Sequence, residues 1–475
     1  MRNGEAAMSK QNGHNMKKSE KNSESEANWS NSSELQGQGT PLRSFNFPKD
    51  ERRLGAEFSV EENVSRLLRL FLFERMMLRA TAGWTMGTPE FEVKVEYGRH
   101  IYWHADAGMK LRTRLTELRT SEEITDKYQS GELSEFFAEL LYSESPAHFL
   151  AALYEVVLPH MKRAYVEHLS HTDQVADAPT IRTMRQILVD YDTMIAWGLA
   201  STNAYIDGGY ENESIRKWQY HIEKLLRSYG GVTGTAEKGP RPETLRSAGK
   251  KAFERSFIAT RDPRFKTFED TYDYHEADQN AIEYQSEFDK TRLSLVRTQR
   301  DEMDAIETFG NVLYEIQDVP FGFDFDVARI IWDETRHTEL GHKTLQALGY
   351  NPFDLLNRLL GIKVRSKLAT KYSFAEINLF GEANIVQECI RYAREAYDKG
   401  DDLTGRVFDY VNADERTHLS KGVLWLKHIF KTNSVTDIEE ETKKAAVDRL
   451  LELGIIDHEV ALTISHRELA KIIGE

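Results

Sequence analysis

From Ser59 onward, apolar residues recur at three- and four-residue spacing along most of the chain, the rhythm of helices that bury one face. Alternating runs of β-branched residues are nearly absent, so the pattern predicts an all-α fold. Order is expected to begin at Ser59-Val60-Glu61-Glu62, a capping box ahead of Leu67, Leu68, Leu70, Phe71 and Leu72. Residues 1–45 have hardly an apolar position between Met16 and Leu35. Such a segment cannot bury enough surface to offset its ordering entropy, and a disordered tail is predicted. Residues 206–289 read as a connector, rich in Gly and Pro between Gly208 and Pro242, around one short helix at Ile215–Tyr229. Residues 433–475 read as a helical appendage for packing or oligomerisation, with helices at Glu441–Leu453 and His466–Ile473. Two helical bodies remain, 46–205 and 290–432.

Composition narrows the class. The 475 residues include 62 basic and 77 acidic ones, a formal net charge of −15. Without a long Lys/Arg block, that charge argues against a phosphate backbone as main partner. The single cysteine, Cys389, excludes a disulfide framework within the chain, which suits a reducing cytosol. No run of about 18 apolar residues occurs and the first residues are too polar for a signal peptide, so a cytoplasmic protein without a membrane span is expected.

The chemistry lies in two segments of the second half. Asp333-Glu334-Thr335-Arg336-His337-Thr338-Glu339-Leu340-Gly341 and Asp414-Glu415-Arg416-Thr417-His418-Leu419-Ser420-Lys421-Gly422 both spell D-E-x-x-H-x-x-x-G. A lone Glu and His three apart usually mark a solvated helix face. Here Val327, Ile330, Glu334, His337, Gly341, Thr344 and Leu348 share one stripe, and Phe408, Val411, Glu415, His418, Gly422, Trp425 and Ile429 share another. Both Glu–His pairs therefore sit on buried seams, where a carboxylate needs a cation or several hydrogen bonds. Four-helix bundles build di-iron or di-manganese sites from two such helices plus one Glu from each of two others.

Two more seam glutamates are then required. Glu302 interrupts the stripe of Leu295, Ile306, Phe309, Leu313 and Ile316, 32 residues before Glu334; Glu382 interrupts that of Leu379, Val386, Cys389 and Ala393, 33 residues before Glu415. The competitors Glu307 and Glu388 each lie 27 residues before their motif glutamate. Polar neighbours place both on solvated faces, so Glu302 and Glu382 are preferred.

Residues 290–430 resemble the ferritin-like di-iron carboxylate proteins, the group of rubrerythrins and the ribonucleotide reductase small subunit. The closer likeness is to an uncharacterised bacterial ferritin-like branch, carried by Arg261-Asp262-Pro263-Arg264-Phe265 and Asp333-Glu334-Thr335-Arg336-His337. The resemblance implies a metal pair bridged by Glu334 and Glu415, the two residues closest to the chemistry. It implies that His337 and His418 each bind one ion, with Glu302 and Glu382 as terminal ligands. Asp333 and Asp414 would hold the imidazoles of the ligating histidines. Gly341 and Gly422 would leave room for a crossing helix.

The first half reads as a degenerate copy of the same bundle. Glu74 precedes His104 by the interval that separates Glu307 from His337, Ile101 takes the place of Glu334, and Arg69 that of Glu302. Asp190-Tyr191-Asp192-Thr193-Met194-Ile195-Ala196-Trp197-Gly198 resembles the second motif helix, with Ile195 in place of its histidine. His100 and His104 are expected to be packed or solvated rather than ligands. His342 is expected to be solvated and Cys389 to be packing. Tyr314, Tyr392 and Tyr410 are candidate redox neighbours.

The function expected is a non-haem di-iron oxidase or oxygenase that uses dioxygen to oxidise or hydroxylate a small organic substrate, with iron or manganese accepted by the same donors. The alternative is a ferroxidase, or an iron-handling or oxidative-stress protein, with no organic substrate. Hydroxylation of an RNA base is disfavoured by the charge, and a vestigial structural site by six seam ligands in register. Homo-oligomerisation is left open.

Overall fold

The Ser59 hydroxyl accepts a hydrogen bond from the Glu62 amide at 3.2 Å, the cap that the sequence announces. In the computed structural model this cap opens α1 (Val60–Thr85), followed by α2 (Phe91–Glu117), α3 (Glu122–Asp126), α4 (Gly131–Leu141) and α5 (Pro146–Ala152). A π-helical turn, Leu153–Val157, leads into α6 (Leu158–His171), and α7 (Ala178–Asp207) and α8 (Asn212–Ser228) complete this part. The structure describes residues 50–52, 54–55, 57–269, 282 and 284–473, and of residues 382–385 the backbone alone. The predicted disordered tail, residues 1–45, lies outside the described residues.

The second half begins with α9 (Glu287–Asp301), α10 (Met303–Glu315) and α11 (Phe321–Ala347). After α12 (Leu360–Arg365) and α13 (Thr370–Glu376), a second π-helical turn, Ile377–Gly381, runs into α14 (Glu382–Asp398), and α15 (Asp402–Phe430) follows. The order of elements in 60–207 thus returns in 287–430: a helix pair, short helices, a π-helical turn opening a helix, and a long helix. Strand structure among the described residues is one parallel pair of two-residue strands, Thr267–Phe268 and Asn357–Arg358. No helix among them is long and apolar enough to cross a membrane.

The two helix pairs pack on each other, α2 along α11 and α1 along α10. Tyr102 stacks on Trp332 with ring centroids 4.7 Å apart. Asp324, fully buried in the first turn of α11, pairs with Arg75 and Arg79 of α1. One apolar core runs through both halves, from Leu67, Leu70 and Phe71 to Ile306, Phe309, Val327 and Ile331. Each such side chain contributes about 1.5–3 kcal/mol when fully buried.

The Arg261–Phe265 segment ties these parts together. Asp262 accepts from the Phe91 amide at the start of α2 at 3.2 Å, while Arg261 reaches Asp304, Glu307 and the Asn357 side chain. The chain ends in α16 (Val435–Glu452), α17 (His458–Thr463) and α18 (His466–Ile473). These pack on Leu360, Val364, Leu368 and Phe380, a separate apolar cluster. α16 starts six residues before the sequence expectation because Ser434 caps it, accepting from the Asp437 amide at 3.2 Å.

Candidate metal centre

Three features of local sequence bring the motif residues together. Asp401 caps α15, accepting from the Thr404 amide at 3.1 Å. The three-residue interval within each motif then puts Glu334 and His337, or Glu415 and His418, on one buried face of its helix. Between α9 and α10 the helix is interrupted at Glu302 (φ −62°, ψ 0°), and this break turns the carboxylate toward α11. Glycine permits the close packing: a Cβ at Gly341 would strike the backbone of Gln299 and Arg300, and one at Gly422 would strike the Asn378 side chain.

The resulting geometry is reciprocal. One oxygen of Glu334 lies 3.1 Å from His418 Nδ1 and the other 3.6 Å from His337 Nδ1. One oxygen of Glu415 lies 3.3 Å from His337 Nδ1 and the other 3.1 Å from His418 Nδ1. Glu302 adds an oxygen 3.0 Å from His337 Nδ1. The far nitrogens are held crosswise, His337 Nε2 by Asp414 at 3.2 Å and His418 Nε2 by Asp333 at 3.4 Å. Arg336 donates to both aspartates, and Arg329 donates to Asp333.

Charge shapes this arrangement. Burial alone pushes the Glu334 carboxyl up, but His337 and His418 outweigh it and hold the group well below the usual carboxylate range. Burial alone pushes the His337 imidazole down, and Glu302 and Asp414 outweigh it, raising its pKa well above the ordinary value. Without another cation, the site can neutralise its carboxylates only by protonating imidazole. Yet His337 Nδ1 and Glu334 Oε1 are buried and make no hydrogen bond of proper geometry. Donor atoms that converge without bonding one another are what a metal cation satisfies. The buried group Glu302, Glu334, His337 and Glu415 can hold a metal ion, and His418 faces the remaining glutamate oxygens.

The other glutamates are placed as follows. The side chain of Glu382 lies outside the described residues; its backbone opens α14 directly after the π-helical turn. Glu307 is not on a solvated face: it is fully buried, where Lys94 and Arg261 neutralise it at the junction of the two helix pairs. Burial pushes Lys94 down to about 8. Glu388 is half-buried and pairs with exposed Arg391.

Several lesser expectations change. His342 is not solvated; it is half-buried and stacks on Phe91 with ring centroids 4.7 Å apart. Burial pushes its imidazole down to about 4. Cys389 is buried with Ala393, Val407, Phe408 and Val411. Tyr314 donates to the Phe253 carbonyl, Tyr392 lies beside Arg391, and Tyr410 is exposed, so none of the three joins the cluster.

In the first half, Glu74 accepts from Tyr165 at 2.5 Å and from Tyr191 at 2.7 Å, and His104 Nδ1 lies 2.6 Å from its other oxygen. All four side chains are buried. His100 is bonded to the Tyr154 hydroxyl instead. Arg69, at the Glu302 position, turns away to donate to the carbonyls of Gly231 and Val232. The register of the second motif copy shifts by one from the sequence reading: Gly198 lies against Tyr154 as Gly422 lies against Asn378. Met194, fully buried, therefore stands opposite His418, and Ile195 does not.

Sequence reasoning missed Arg336, Gln299 and Tyr165. Arg336 had a signal, lying three residues after Asp333 on the same helix face. Gln299, which donates to Glu302 at 2.8 Å, and Tyr165 are placed by packing and had none. In comparison with known proteins, the chain matches no family model, no curated protein and no solved structure.

Proposed function

We propose that residues 290–432 form a ferritin-like bundle around a dinuclear metal centre that activates dioxygen to oxidise or hydroxylate a small organic substrate, and that residues 46–205 are a degenerate tandem copy of that bundle. The observation that carries the reading is reciprocal: each of Glu334 and Glu415 offers one oxygen to the Nδ1 side of either histidine. A single cation needs no such splitting, whereas two cations side by side are bridged by it.

Within the reading each residue has a stated task. Glu302, Glu334, His337, Glu415 and His418 would hold the metal ions, with Glu382 as the further ligand that the family resemblance implies. Asp414 and Asp333 accept the Nε2 protons, which fixes the tautomers with the Nδ1 lone pairs turned inward. Arg336 balances both aspartates, and Gln299 steadies Glu302 through the oxygen it donates to. A pair of reduced iron or manganese ions held there would supply electrons for dioxygen reduction. The near-complete burial of the donors keeps bulk water from the reacting groups.

The test is iron uptake by the full chain under air, counted per chain, beside oxygen consumption with and without added small-molecule extract. Uptake that stops near about two ions, with oxygen use stimulated by one small molecule, is expected. Uptake far above that value, with no stimulating molecule, would replace this reading with a ferroxidase.

A further inference from the structure

The two π-helical turns invite a residue-by-residue comparison. Tyr154 is the second residue of the first and Asn378 the second residue of the other. Each lies against a glycine of the long helix that follows, Gly198 or Gly422, and each glycine lies 44 residues further along the chain. In the first half the Tyr154 ring fills the space over Gly198, and its hydroxyl is bonded to His100 Nδ1 at 2.8 Å. In the second half the shorter Asn378 takes this place, and its side-chain oxygen stands where a Cβ on Gly422 would be.

Asn378 is fully buried. Its amide nitrogen donates to the Phe374 carbonyl at 2.8 Å, but its side-chain oxygen has no hydrogen-bond partner. That oxygen lies over Gly422, one helical turn beyond His418, on the face that carries Glu415 and His418. A buried acceptor left unpaired is costly, and native proteins retain one where a ligand or bound water supplies the donor. The nearby surroundings are aromatic. Phe374 packs edge-on against Phe309 and Phe323, and Trp425, three residues after Gly422, packs edge-on against Phe323.

From this we infer that Asn378 is a ligand-binding residue: its side-chain oxygen accepts from an O–H or N–H group of a mainly apolar molecule bound beside the candidate metal centre. The inference deepens the proposed function and rests on it for the identity of that neighbour. The hydrogen bond fixes the orientation of the molecule, and the aromatic side chains accept its apolar body.

The experiment uses full-length protein, loaded anaerobically with ferrous iron, titrated calorimetrically with phenol and with toluene, which match in shape and differ in the donor. Wild type is expected to bind phenol about fivefold more tightly, the yield of one ordinary hydrogen bond. Asn378→Leu should lose that preference while keeping its toluene affinity and its metal content, and Asn378→Asp, which retains an acceptor, should keep the preference. If Asn378→Leu does not fold, Asn378→Ala takes its place. No preference in wild type, no binding of either probe, or an undiminished preference in the Leu or Ala variant would overturn the inference. Metal content measured on the same samples separates the two claims: an Asn378-dependent preference in protein that binds no metal would sink the metal centre and leave the acceptor role standing.

Discussion

Glu74 and Glu334 are both buried glutamates facing a histidine of a long helix, and they solve the same electrostatic problem in opposite ways. Glu74 is a single charge that receives hydrogen bonds from two tyrosines and faces His104 at 2.6 Å. Glu334 sits among Glu302, Glu415, Asp333 and Asp414, with two imidazoles at 3.1 Å and 3.6 Å and one oxygen that makes no hydrogen bond. In the first cluster both Glu74 oxygens are hydrogen-bonded and only His104 Nε2 is left without a partner; in the second, five carboxylates converge on two imidazoles. On the proposed reading of the first half as a degenerate copy, Tyr191 stands at the Glu415 position and Met194 at the His418 position, so carboxylate and imidazole are both replaced and the phenols bond Glu74 instead.

The comparison breaks most sharply at the bridging positions. Glu334→Ala or Glu415→Ala should empty the second cluster, with a loss of metal affinity beyond the roughly 10–100-fold typical of residues that only support a ligand. Glu74→Ala should leave metal content untouched and cost about 3–5 kcal/mol of stability, because it strands two phenols and an imidazole. Urea unfolding of the metal-free proteins reads the second effect, and elemental analysis the first. If Glu74→Ala lowered the metal content, the two clusters would not be independent.

The terminal position is sharpened by three carboxylates. Glu302→Ala should lower metal affinity. Glu307→Ala should instead destabilise the fold by about 3–5 kcal/mol, since Lys94 and Arg261 lose a buried partner, with metal retained. Glu388→Ala should change stability by less than about 0.5 kcal/mol. Metal loss with Glu307→Ala, and none with Glu302→Ala, would move the ligand to the other register. Smaller than the effect at Glu302, Asp333→Asn or Asp414→Asn should weaken metal binding about 10–100-fold without abolishing it.

A pH-dependent effect concerns His342. Its pKa is about 4 in the fold because of burial, against 6.5 ordinarily. Between those values the unfolded chain binds the extra proton, so this residue removes stability as pH falls from 6.5 toward 4. His342→Phe should flatten that part of the acid-unfolding profile, measured by urea midpoints at a series of pH values. An unchanged slope would show that His342 carries none of it.

Periodicity made the helices legible, because a helix that buries one face must repeat its apolar residues every three or four positions. The Ser59 cap and the shared stripes of Glu334 with His337 and of Glu415 with His418 were readable for the same reason. What stayed hidden depends on contacts between distant segments. Polar sequence neighbours made Glu307 look solvated, yet Lys94 lies 213 residues away and supplies its charge. The break at Glu302 and the π-helical turn before Glu382 are departures from the helical period, and a periodic reading passes over them. The one-residue slip between Ile195 and Met194 was legible in the sequence: matching Asp190 and Gly198 to Asp414 and Gly422 puts Met194 at the His418 position, and the contact of Gly198 with Tyr154 agrees.

The most direct test is the number of metal ions bound per chain after anaerobic reconstitution with ferrous iron, compared among wild type, Glu334→Ala and Glu74→Ala. About two ions are expected in wild type and in Glu74→Ala, and essentially none in Glu334→Ala. A wild type that binds no metal, or a Glu334→Ala variant that keeps its ions, would contradict the account.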